Sequence, residues 1–129
     1  MAPPRPRRPR GPESIDYWTL SELRYHIRRF LRGREVAARA AGVAPQQYLL
    51  LLQVRGMEGR RRPTVGALAE RLQLQHHTIV ELVDRLEERG LVTRRRGGAD
   101  RRAVLVELTP AAEAIVRRLA QLSLNEIRT

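Results

Sequence analysis

The stretch that most restricts what this chain can become lies late, from Gly90 to Thr109, and reads GLVTRRRGGADRRAVLVELT. Leu91 to Thr93 and Ala103 to Leu108 are short runs rich in Val, Leu and Thr, and they flank an arginine-dense turn built on Gly97 and Gly98. This pattern predicts strand, turn, strand. Val104, Val106 and Leu108 alternate with Leu105 and Glu107, the period-two sign of a strand with one buried face. Arg94, Arg95, Arg96, Arg101 and Arg102 surround the turn with Asp100 as the one acid, so the hairpin tip presents concentrated positive charge to solvent. Its counterpart is expected to be a polyanion.

Composition agrees with the hairpin. The chain has 129 residues, room for one domain with a core, and its formal net charge is +11. All 25 basic residues are Arg, which partly reflects genome composition. The segment MAPPRPRRPRGPE has nothing to bury and is expected to form a disordered basic arm over residues 1–13. Without its four Arg and one Glu, the remaining chain still carries +8 by subtraction of +3 from +11. With no cysteine, disulfides, thiol-based redox sensing and thiolate zinc sites are excluded. No apolar run reaches the roughly 18 residues of a membrane span, and the basic start lacks the apolar stretch of a signal peptide. A cytoplasmic protein without membrane contact is expected.

Helical signals fill the rest. Thr19 and Glu22 form a capping-box pattern with Trp18 and Leu23 as a hydrophobic staple, although a start near Ser14 also fits. Leu20, Leu23, Ile27, Phe30 and Leu31 then line one stripe, and the helix should run on to Gly42 with Gly33 as its weak point. Pro45 opens a second helix that Tyr48, Leu49, Leu51 and Leu52 make apolar nearly all round, and Gly56 and Gly59 close it. Thr64 can cap a third helix bearing Val65, Leu68, Ala69 and Leu72, and a tight link through Gln73 to Gln75 leads to a fourth with Ile79, Leu82, Val83 and Leu86 inward. Two short helices so joined are a helix-turn-helix candidate. After the hairpin, Thr109 and Pro110 open a last helix with Ile115, Leu119 and Leu122 on one side.

TVGALAERL followed by HHTIVELVDRLEERGLVTRRRGGADRRAVLVELTPAAEAIV resembles the MarR family of bacterial transcription regulators, over about Pro45 to Val116. The specific part is GLV, then R, then D-R-R, then L-V-E-L-T-P in that order. The resemblance implies a mainly α fold with a small β-hairpin wing: a winged helix-turn-helix at 45–109, with dimerisation helices at 14–44 and 110–129. It implies a homodimer on a pseudo-palindromic double-stranded DNA operator, usually a repressor released by a small, often aromatic, effector. Family members usually continue through two terminal helices, whereas one is expected here, so either the interface rests on helix one or the chain is shortened.

Carried over by position, Asp100 and Arg102 match the family's wing pair, in which the arginine enters the minor groove and the acid holds it. An Arg on a narrow hairpin suits such a groove. The fourth helix becomes the recognition helix, with Gln75, His76, His77 and Thr78 directed at base edges. Gln75 stands where the family commonly has a capping Ser or Thr, and Thr78 with Glu81 offers a rival box three residues later, so two helix starts remain open. Val80 and Glu81 are expected to face outward, Val80 toward a thymine methyl and Glu81 toward cytosine. The helix also carries Asp84, Glu87 and Glu88 against Arg85 and Arg89, so affinity must come largely from Arg94, Arg95, Arg96, Arg101, Arg102, the Arg60 to Arg62 loop and the basic arm. Trp18, Tyr25, His26 and Tyr48 are the residues the resemblance brings nearest an effector. His76 and His77, adjacent on a helix and without Cys or acidic partners at ligand spacing, do not form a metal site, and no cofactor is expected. Nor is there a nucleophile and base pair, phosphate loop or paired carboxylate geometry to nominate an enzyme. The alternative is a winged-helix adaptor that binds protein, or any nucleic acid through charge, without sequence preference.

Overall fold

The computed structural model describes residues 2–4, 14–97 and 100–128, with the side chains of residues 100–102 outside that set. The expected basic arm therefore lies mostly outside the described residues. Five helices and two strands follow in the order α1 (Tyr17–Ala40), α2 (Pro45–Met57), α3 (Val65–Leu72), α4 (His76–Glu88), β1 (Val92–Gly97), β2 (Asp100–Leu108) and α5 (Pro110–Arg128). The chain divides into two units, Met1–Gly33 and Arg34–Thr129. The division falls inside α1, which runs unbroken through Gly33. Among the described residues no helix is long and apolar enough to cross a membrane.

In the first unit α1 starts one turn earlier than the Thr19 capping box predicts. Asp16 is the cap: its carboxylate accepts from the Thr19 backbone N–H at 3.0 Å and from the Thr19 hydroxyl at 2.5 Å. Thr19 is spent as donor inside the helix, and Glu22 instead faces His26 at 3.3 Å, one turn on. The Thr19 hydroxyl, more than any other neighbour, holds the Asp16 carboxyl below the ordinary aspartate range. No described residue of this unit is buried, and the stripe residues Leu20, Leu23, Ile27 and Leu31 are each about half exposed.

The second unit holds the core. The end of α1 enters it through buried Ala38, and Gly42, at φ +85°, lets the chain reverse so that Val43 N–H donates to Ala38 O at 3.1 Å. α2 is central, burying Tyr48, Leu50, Leu51, Val54 and Met57, but it is not apolar-covered all round: Leu49 is 44% exposed. Leu68 of α3, Ile79, Leu82, Val83 and Leu86 of α4, and Ala112, Val116 and Leu119 of α5 complete the cluster. Of the three residues expected inward on α5, Leu119 is buried, Ile115 partly so, and Leu122 is 42% exposed.

β1 and β2 pair antiparallel with Val92 opposite Leu108 and Arg96 opposite Val104, and the register shifts between Arg96 and Gly97. The alternation read from Val104, Val106 and Leu108 is only partly kept. Val106 is fully buried, Leu105 is buried too, and Val104 and Leu108 are half-buried. Beside this two-stranded wing, Thr64 makes an isolated bridge to Leu105 and Val106 N–H donates to Pro63 O at 3.0 Å, so the segment before α3 runs along the second edge of β2.

Candidate nucleic-acid interface

The helix-turn-helix is built by local chemistry. The Thr64 hydroxyl accepts from Ala67 N–H at 3.1 Å and starts α3. Gln73, at φ 56°, takes the left-handed conformation that ends it, and its side-chain amide donates to Glu70 O at 2.8 Å. A non-glycine residue in this conformation is unusual, and the local amide bond supports it. Of the two starts open for α4 the earlier is adopted. Gln75 is the N-cap, its side chain makes no capping bond, and Thr78 lies inside the helix.

That register places the expected DNA-facing residues as follows. Gln75, His76, His77, Glu81 and Arg85 are exposed and Thr78 is half-buried. Val80 does not point outward as expected. It is half-buried and lines a hollow of about 350 Å³ with Thr64, Val65, Gly66, His76, Arg94, Ala103 and Val104, because α4 leans against the start of α3 and the base of the hairpin there.

The wing arginines divide into two kinds. Arg95 and Arg96 are exposed, and Arg95 reaches Glu107 across the hairpin at 3.0 Å. Arg94, expected among the phosphate contacts, turns back instead. Its guanidinium donates to Glu87 at 3.0 Å and to Asp84, both on α4. The hydrogen bond it donates to Asp84, ahead of the other charges, raises its pKa above the usual arginine value. The side chains of Asp100, Arg101 and Arg102 lie outside the described residues; their backbone opens β2. At the turn end of β1, a Cβ on Gly97 would meet the Arg62 guanidinium and stand 2.9 Å from the Leu105 side chain, so these side chains would have to shift to admit one.

Two features of this lobe were not foreseen. Arg89, just past α4, donates to Gly42 O at 2.6 Å and to Gln47 Oε1 at 2.9 Å, joining the end of α4 to the α1–α2 corner. Arg34 in the late part of α1 binds Glu126 and, at 3.3 Å, the Ser123 hydroxyl on α5. Neither had a sequence signal beyond being arginine. The four residues nominated for an effector fall in separate units: Trp18, Tyr25 and His26 in the first, Tyr48 in the second. Trp18 is 61% exposed, and Tyr25 meets His26 edge-on at 5.3 Å. Tyr48 is buried, which pushes its phenol above the ordinary tyrosine range, while Ser123 and Arg34 act in the opposite direction.

Residues 41–103 match the model of the MarR family. A Thauera aromatica protein named as a transcriptional regulatory protein for the hcr operon is 30% identical over 105 residues, spanning 78% of this chain and 61% of its own length. Residues 41–103 are thus a MarR-family segment. The organic hydroperoxide resistance transcriptional regulator of Bacillus subtilis is 40% identical over 63 residues, 49% of this chain and 41% of that protein. The chain thus spans about three fifths or less of these relatives' lengths. Among solved structures, a mutant of MarR from E. coli superposes with a TM-score of 0.72 at 23% identity, covering 90% of this chain and 82% of that one. A mutant of S. aureus MepR bound to an oligodeoxyribonucleotide gives 0.69 at 18% identity, covering 89% and 80%. These two likenesses establish the MarR winged-helix fold: five helices and one two-stranded wing. The relatives so named are regulators of transcription rather than enzymes.

Proposed function

We propose that this MarR-family chain is a sequence-specific DNA-binding transcriptional regulator, a homodimer acting as a repressor that a small ligand releases. The observation that carries the reading is the pairing, in one lobe, of an exposed polar α4 start with an arginine-bearing wing. The DNA-bound state of the MepR relative supports it. Gln75, His76, His77 and Thr78 then read base edges, Arg85, Arg95, Arg96 and Arg101 meet phosphates, and Arg102, held by Asp100, enters the minor groove. Val80 and Glu81 act at the margin of that surface.

Dimerisation would draw on the apolar residues left uncovered: Leu20, Leu23, Ile27 and Leu31 on α1, and Leu122, Leu124 and Ile127 on α5. Exposed apolar stripes of this extent mark interaction sites. A ligand that favours one arrangement of the two lobes would take the recognition helices out of register with major grooves about 34 Å apart. Trp18, Tyr25, His26 and Tyr48 are the first residues to substitute in search of it. The rival reading, an adaptor without sequence preference, draws on exposed Glu81 and on the uncapped Gln75, His76, His77 start of α4.

The test is competition binding to duplex from the gene's own promoter against random duplex at physiological salt. Preference for promoter DNA supports the regulator; equal affinity leaves the adaptor. Arg102→Ala should lower promoter affinity about tenfold, ~1.4 kcal/mol, with melting temperature unchanged. Unaltered affinity in that variant removes the wing assignment.

A further inference from the structure

α4 presents a problem to any DNA-binding reading of this lobe. Glu81, Asp84, Glu87 and Glu88 lie along it, and Arg85 is the one basic residue within its bounds. A recognition helix with that balance repels phosphate unless some of its acids are neutralised from outside. Asp84 and Glu87 are three residues apart and so share a face. Arg94, the third residue of β1, closes on both at once, one nitrogen to each carboxylate. Its side chain is 29% exposed, the least of these three, while those of Asp84 and Glu87 are 53% and 44% exposed. Other wing arginines behave differently: Arg95 pairs within the hairpin itself, with Glu107.

We propose that Arg94 is a positioning residue for DNA recognition: it pins the first wing strand to the outward face of α4 and cancels two carboxylates there, without touching phosphate. This rests on the DNA-binding reading above. Both guanidinium nitrogens that make these bonds are committed to α4, so a phosphate contact by Arg94 would require the pin to break. Beside the backbone link from Leu91 to Leu86, one side chain therefore ties the wing to the recognition helix and lowers the negative charge that the helix shows to DNA.

The experiment compares wild type, Arg94→Ala, Arg102→Ala and the double variant Asp84→Asn with Glu87→Gln, all in the full chain. Promoter affinity is measured across a salt series, and amide hydrogen exchange of β1 and β2 is measured without DNA. Loss of a phosphate contact flattens the dependence of log K on log salt by about one unit. Arg94→Ala should weaken binding about tenfold at every salt concentration with the slope kept, and should speed exchange in β1 several-fold. The double variant, which leaves Arg94 without its partners, should speed exchange in β1 likewise. Arg102→Ala should flatten the slope and leave exchange alone. A flattened slope in Arg94→Ala, or unchanged β1 exchange in both Arg94→Ala and the double variant, overturns the inference. Failure of the DNA reading looks different, because wild type itself would then show no promoter preference.

Discussion

The two ends of α4 are built on opposite plans. At the start, Gln75 offers no side-chain bond to the helix, and His76 and His77 stand in solvent. At the finish, Arg89 fastens the chain to Gly42 and Gln47, Gly90 at φ +72° turns it, and Arg94 reaches back to Asp84 and Glu87. Backbone N–H groups at the first turn of a helix lack i→i−4 partners; here Thr78 N–H donates to Gln75 O at 3.1 Å, and the absent cap gives those of His76 and His77 no side-chain acceptor from Gln75. The contrast gives fixing to one end and leaves the other open. α1 shows that the uncapped start is no habit of this chain, because there Asp16 supplies the cap in full.

Four measurements would break or sharpen that contrast. The largest effect is expected at the fastened end, where Leu86 is fully buried: Leu86→Ala should cost about 3 kcal/mol in urea unfolding. Arg89→Ala, which removes two bonds from an exposed guanidinium, should cost about 1 kcal/mol and, if the fastening holds, speed amide exchange at the C-terminal turn of α4 rather than at its start. Gln75→Asp should do the reverse at the free end, stabilising by about 0.7 kcal/mol through a new cap while lowering DNA affinity, since the added carboxylate competes for the same N–H groups. Gain of stability with unchanged DNA affinity would show that the first-turn amides take no part in binding.

The smallest effect concerns α1. Because folding lowers the Asp16 pKa, its stabilisation is present above the unfolded value of about 3.8 and is lost as pH falls through the lower folded value. Helicity by circular dichroism should therefore decline slightly below about pH 4, and Asp16→Asn should weaken that decline. An identical decline in Asp16→Asn would place the titrating group elsewhere.

Much of the lobe was legible because its signals are local. Thr64 as a cap, Pro45 and Pro110 at helix starts, Gly42 and Gly90 at helix ends, and the inward set of α4 each depend on a few neighbouring residues. What escaped were choices that only packing makes. Gln75 and Thr78 gave equally plausible starts for α4, and the lean of that helix against α3 and the hairpin took Val80 from the surface. The second edge of β2 meets Pro63 and Thr64, some forty residues away in sequence, so no periodicity within β2 could announce that pairing. Arg94 sat in a run of three arginines that read as one positive patch, and its turn toward Asp84 and Glu87 becomes evident only when β1 is laid beside α4.

Trp18 has a practical consequence. It is the chain's one tryptophan, it lies in the first unit, and it is 61% exposed. Indole emission from this protein therefore reports on the uncovered half of α1 and is silent about the core of the second unit. A blue shift on raising protein concentration would register subunit association directly, with no label attached, while unfolding of the winged-helix lobe would have to be followed by another signal.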